Sequence, residues 1–147
     1  MEIMQIKDAA GMSEAAAAVL KQVAVRNTGA VVVALSGDLG AGKTTLTQAL
    51  AAALGITETI TSPTYVVMKR YELPAPALGR FDSLVHIDAY RIEDVDEMRV
   101  LKFPELLAEK DTIICIEWPE HIAALIPDGA ITVAIELAGT GRKITIT

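Results

Sequence analysis

The sequence predicts an α/β sandwich of three layers, with a central, largely parallel sheet and an antiparallel hairpin at its C-terminal end. Three observations predict it. Short, continuous apolar runs recur at Val31-Val32-Val33-Ala34-Leu35, Leu84–Ile87 and Ile113–Ile116, and such runs suit strands buried on both faces of a parallel sheet. Helical periodicity fills the stretches between them, the alternation that gives α/β layering. Ala130–Leu137 and Arg142–Thr147 flank Ala138-Gly139-Thr140-Gly141 as a hairpin would.

In chain order, Met1 to Lys7 alternates weakly and reads as a short edge strand. Ser13 offers an N-cap for a helix from Glu14 to Arg26, with Ala16, Val19, Leu20 and Val23 at helical spacing. After the Val31–Leu35 strand, Ser36 to Gly42 is glycine-rich. A helix follows from Lys43 to Leu54, carried by Leu46, Ala49, Leu50, Ala53 and Leu54 and stopped by Gly55. Tyr65 to Tyr71 has strand composition, and Glu72 to Ser83, with Pro74, Pro76 and Gly79, reads as a loop. The Leu84–Ile87 strand ends on Asp88 and the Ile113–Ile116 strand on Glu117. Between them, Glu93 to Glu109 predicts one or two short helices interrupted near Phe103-Pro104, and Pro127-Asp128-Gly129 is a turn.

Composition narrows the function classes. A length of 147 residues, 52% of them apolar and 22% charged, is one ordinary domain, 1–147, with a real core. Only 4% are aromatic, so that core is aliphatic. A formal net charge of -6 argues against holding bare nucleic acid, which rests on a basic face. The single cysteine, Cys115, rules out a disulfide within the chain and fits a reducing compartment. No apolar stretch is long enough to span a membrane, and the N-terminus shows no export signal, so a cytoplasmic protein is expected.

One motif carries chemistry. Gly37-Asp38-Leu39-Gly40-Ala41-Gly42-Lys43-Thr44 fits G-x-x-x-x-G-K-[ST], between a buried strand and a helix. Glycines let the backbone curl so that its N–H groups point at phosphate oxygens, and the next helix adds its dipole and unpaired donors. Lys43 supplies charge to the β- and γ-phosphates, and the Thr44 hydroxyl completes a Mg²⁺ shell. The run Asp38, Leu39, Gly40, Ala41, Gly42, Lys43, Thr44 and Thr45 is thus the expected nucleotide-binding stretch, and the fold is of the P-loop NTPase type. In an open parallel sheet, ligands gather at the carboxyl ends of the strands. Asp88 and Glu117 end strands there, and with Lys43 they are the candidate catalytic residues. Either acid can hold Mg²⁺ or orient the attacking water; spacing does not assign the two roles.

The strings SGDLGAGKTTL, SPTY (Ser62 to Tyr65), HIDAYR (His86 to Arg91) and IEWPE (Ile116 to Glu120) occur in that order. Together they resemble the TsaE family, small bacterial ATPases required for the threonylcarbamoyladenosine modification of tRNA. The resemblance implies ATP hydrolysis with Mg²⁺, and a partner complex of two related proteins, TsaD and TsaB, which handle the tRNA. It implies that Lys43 and Thr44 meet phosphate and Mg²⁺, that Glu117 is the metal-linked glutamate and Asp88 the second acid. It also implies a switch-like Thr64 near the γ-phosphate and metal, with Ser62 to Tyr65 carrying nucleotide state to the partner, and an Arg142 close to the nucleotide; on its residues alone Thr64 is equally a strand-start hydroxyl after Pro63. On physics alone, Arg142 is a solvent-facing turn charge, and Trp118, directly after Glu117, either lines the nucleotide site or is core or interface. Tyr90 and Arg91 either steady the site or face partners, and Glu97 belongs to an acidic helix start, a candidate docking surface. His86 reads as a satisfied, semi-buried histidine and Cys115 as a packing residue. Two features depart from the family pattern: the length of Glu72 to Ser83, and Lys102 in place of a glycine.

Two other readings compete. A small-molecule or nucleoside kinase also needs a phosphate loop, but usually an arginine-bearing lid as well. Glu72 to Ser83 has only Arg80. A GTP-dependent switch module needs N-K-x-D to read guanine, and Asn27, the only asparagine, precedes the phosphate loop. ATP is therefore the expected nucleotide, with slow hydrolysis by the isolated chain.

Overall fold

The computed structural model describes residues 1–27, 29–63 and 67–147. Seven strands form one mixed sheet in the order β1-β7-β6-β2-β5-β4-β3. They are β1 (Glu2–Ile6), β2 (Val31–Ser36), β3 (Met68–Ala77), β4 (Phe81–Asp88), β5 (Thr112–Glu117), β6 (Ile131–Ala138) and β7 (Gly141–Ile146). Strands β6, β2, β5 and β4 run parallel, while β7 and β1 close one edge and β3 the other in antiparallel pairing. The three apolar runs are thus the middle of the sheet, and the C-terminal hairpin pairs as its composition predicts. Among the described residues no helix is long and apolar enough to cross a membrane.

Helices α1 (Ala9–Ala24) and α2 (Lys43–Ala53) cover one face. Helices α3 (Glu97–Val100) and α4 (Phe103–Leu107), with a 3-10 segment Pro119–Leu125, cover the other. Alternation along the central strands feeds both cores: Ile113 and Cys115 pack on the first face, Ile114 and Ile116 on the second. Cys115 is wholly buried, and burial pushes its thiol up to about 12, so it packs as a small apolar side chain.

Helix α1 corrects the Ser13 expectation. Asp8 is the N-cap, its carboxylate accepting the Gly11 N–H at 2.9 Å, and the helix ends at Ala24 rather than Arg26. Gly11 lies inside the first turns, where a Cβ would press Ile6 Cγ2 at 3.2 Å. The glycine lets the helix start directly against β1.

The expected Glu72–Ser83 loop is also overturned, because it forms most of a hairpin. Strand β3 runs on to Ala77 and β4 begins at Phe81. Pro74 and Pro76 are tolerated because β3 is an edge strand whose register shifts between Glu72 and Ala77. Arg80 fastens the hairpin by donating to the Gly29, Arg26 and Lys110 carbonyls. The first residues of the expected Tyr65–Tyr71 strand lie outside the described residues; its remainder begins β3.

The predicted pair of short helices is present, and the break falls at Lys102, which holds φ 55° and ψ 44° between α3 and α4. A Cβ in that left-handed conformation costs about 1–2 kcal/mol, which glycine avoids at some cost in chain entropy. Lys102→Gly should therefore raise stability by roughly 0.5–1 kcal/mol. An increase in the urea midpoint at unchanged slope checks this; a fall in the midpoint refutes the strain.

Candidate nucleotide site

The parallel register puts Asp88 beside Glu117 and Glu117 beside Leu35, so both acids and the phosphate loop share one sheet edge. Beyond Ser36 the chain turns sharply. Gly37 passes so close to β6 that a Cβ would stand 2.5 Å from the Ile135 carbonyl oxygen. The Ala41 N–H closes a turn onto the Asp38 carbonyl at 2.9 Å, and Gly42, at φ 117°, leads into α2 without a side-chain cap. The first-turn N–H groups of α2 are thereby left for an acceptor outside the helix.

Lys43 is folded back into its own loop. Its Nζ donates to the Gly37 and Asp38 carbonyls and lies 4.0 Å from the centroid of the Trp118 ring. The Thr44 hydroxyl donates to the Glu117 carboxylate, 3.1 Å from Oε1 and 2.9 Å from Oε2. On its other side, Glu117 Oε2 meets His86 Nε2 at 2.6 Å. Asp88 accepts the Ser62 hydroxyl at 2.9 Å and the Tyr90 N–H at 3.0 Å. Lys43, Asp88 and Glu117 are all nearly inaccessible to solvent.

These groups surround a cavity of about 400 Å³ reaching from Gly40 and Lys43 to Trp118. Leu39, Gly42, Thr44, Thr45, Ser62 and Tyr90 also line it. At its rim the His121 ring stacks on those of Tyr90 and Trp118, which meet each other at a tilt, and His121 Nδ1 donates to the Ala89 carbonyl. Trp118 enters this cluster at φ 58°, a left-handed turn directly after Glu117. It is part of the cavity wall and, partly buried, also packs against the second core.

Arg142 corrects the reading of a solvent-facing turn charge. Its Nε donates to the Ala41 carbonyl at 2.7 Å, which pins the final hairpin onto the phosphate loop. A second cavity, of about 360 Å³, opens beside it between Asp8, Met12, Gly42 and Thr45. The β1–α1 junction in this wall was not singled out in the sequence; the Asp8 N-cap was the available signal.

Not every candidate converges. Arg91 is exposed and outside the lining of the main cavity. Glu97 lies away from it as well: its carboxylate accepts the N–H groups of Glu93 and Asp94, which closes the turn into α3. Glu97 also edges a small apolar groove with Val67, Ile92, Val100 and Leu101. Thr64 and Tyr65 lie outside the described residues.

The donors present suit a hard cation. Thr44 and Glu117 offer a hydroxyl and a carboxylate at the cavity wall, with the Asp88 carboxylate on the neighbouring strand. Among the described residues, no group of three or more His, Cys, Asp or Glu could enclose an ion. A hydroxyl and carboxylates at a phosphate-loop cavity are donors that fit Mg²⁺, which keeps several waters and takes phosphate oxygens as well.

A family model described as threonylcarbamoyl adenosine biosynthesis protein TsaE matches residues 6–144. The chain is similar to the tRNA threonylcarbamoyladenosine biosynthesis protein TsaE of Borreliella burgdorferi, 35% identical over 113 residues, 76% of this chain and 77% of that protein. The protein of the same description from Streptomyces coelicolor is 46% identical over 89 residues, 60% of this chain and 56% of its own length. Among solved structures, Bacillus subtilis YdiB superposes with a TM-score of 0.71 at 27% identity, covering 99% of this chain and 83% of that one.

Proposed function

The chain belongs to the TsaE family of threonylcarbamoyl adenosine biosynthesis proteins, and on that premise we propose that it is a Mg²⁺-dependent ATPase serving this modification of tRNA. One observation carries the reading: the Thr44 hydroxyl is tied to Glu117 beside Lys43, where the loop enters α2 without a side-chain cap. This single domain, of the P-loop NTPase type, would hold phosphates on the N–H groups of residues 38–45. Lys43 would exchange its two loop carbonyls for β- and γ-phosphate oxygens, and Thr44 with Glu117 would hold the ion. Bound Mg²⁺ would offset charge on the phosphates. Asp88, oriented by Ser62 and Tyr90, is the group to position water. The cavity beside Asp8, Met12, Thr45 and Arg142 has the size and place for the nucleoside.

The proposed partners are TsaD-type and TsaB-type proteins, with tRNA bound through them, since a net charge of -6 gives the chain little field of its own for RNA. Arg142 is engaged with the Ala41 carbonyl, so we assign the outer charge on the reacting phosphate to an arginine supplied in trans, a device worth several orders of magnitude in rate. ATP turnover by the purified chain, measured with and without its TsaD and TsaB counterparts, tests the reading. Turnover should be slow alone and rise at least tenfold with both partners. Fast turnover alone, unchanged by partners, would refute it.

A further inference from the structure

We propose that His86 is a positioning residue for the ion-holding pair: its Nε2–H fixes the Glu117 carboxylate so that both oxygens face the Thr44 hydroxyl. The inference rests on reading Thr44 and Glu117 as the Mg²⁺ pair.

In the β4–β5 register His86 stands beside Cys115, so Glu117, two residues on, lies diagonally from it on the same face of the sheet. The ring is wholly buried, and Nε2 lies 2.6 Å from Glu117 Oε2. Its other nitrogen, Nδ1, is buried without a hydrogen-bond partner among the described residues. A proton on Nδ1 would have no acceptor there, at the cost of an unsatisfied buried donor. The proton therefore belongs on Nε2, which donates to the carboxylate, and Nδ1 keeps only a lone pair. Glu117 is held from behind by His86 and from in front by Thr44, whose oxygen lone pairs remain for a cation. Groups that orient an ion's ligands in this way commonly change metal affinity by about 10–100-fold when removed.

The test is the Mg²⁺ dependence of binding a fluorescent ATP analogue, titrated for the wild type, Glu117→Gln, His86→Leu and His86→Gln, with a parallel series in EDTA. Glutamine carries its amide nitrogen close to the Nε2 position, whereas leucine fills the space without a donor. His86→Leu should raise the half-saturating Mg²⁺ concentration by about tenfold. Its metal-free nucleotide affinity should stay within about twofold, and His86→Gln should remain near the wild type. An unshifted Mg²⁺ midpoint in folded His86→Leu, or a His86→Gln as impaired as the leucine variant, overturns the role of His86. If Glu117→Gln leaves the midpoint unmoved, the Mg²⁺ pair itself is wrong and the inference falls with it. Should His86→Leu not fold, His86→Asn, whose amide falls short of Glu117, replaces it in the same comparison.

Discussion

Glu117→Gln should lower ATP turnover by about 10²-fold or more while leaving the protein folded. Glutamine keeps the shape of the side chain but turns one acceptor into a donor. Both carboxylate oxygens now accept, from the Thr44 hydroxyl and from His86 Nε2. With the amide in place, one of those donors faces another donor and the site loses the negative charge that would face the ion. Asp88→Asn is the instructive contrast. Its oxygen can still accept the Tyr90 N–H, and its amide can donate to the Ser62 hydroxyl, so the geometry survives while the charge goes. That variant should also slow turnover, with nucleotide affinity and Mg²⁺ midpoint changing little. Turnover and binding measured over the same Mg²⁺ series separate the two acids. Wild-type turnover in either folded variant would remove that residue from the mechanism.

Much of this arrangement was legible in the residues. The continuous apolar runs at residues 31, 84 and 113 forced strands buried on both faces, and parallel strands must deliver their terminal residues to one edge. Asp88, Glu117 and the phosphate loop therefore had to meet there. What stayed hidden depended on tertiary contacts. Ser13 offers a cap on its residue type alone, whereas the packing of α1 on Ile6, which makes glycine fit at position 11, lets the helix start earlier from Asp8. Pro74 and Pro76 argue for a loop until β3 is known to be an edge strand. The ties of Arg142 to Ala41 and of His86 to Glu117 span 101 and 31 residues. Period-two alternation put His86 on the face of Asp88, but only the β4–β5 register brings Glu117 to it.

Gly37→Ala should damage both stability and nucleotide binding, and Gly40→Ala much less, although both glycines belong to the same loop. At Gly37 an added Cβ would stand 2.5 Å from the Ile135 carbonyl oxygen, with φ already at 155°. That neighbour is backbone of β6, a strand held between β2 and β7 with Ile135 itself opposite Ile144 of β7, so it cannot swing aside as a side chain would. The loop must move instead, at a cost of about 1–3 kcal/mol for overpacking. It would carry away the Gly37 carbonyl that now positions Lys43, and with it the curl that aims N–H groups at phosphate. At Gly40 nothing lies within 4 Å of the added atom, and only φ 79° opposes it, a strain of about 1 kcal/mol in a solvent-facing turn. The pattern G-x-x-x-x-G-K-[ST] requires the first position and leaves the second free, and the approach of β6 supplies the physical reason. Urea unfolding and nucleotide titration of both variants decide the matter. We expect Gly37→Ala to lose at least tenfold in affinity and Gly40→Ala no more than about threefold. Equal effects at the two positions would show that contact with Ile135 does not shape the loop.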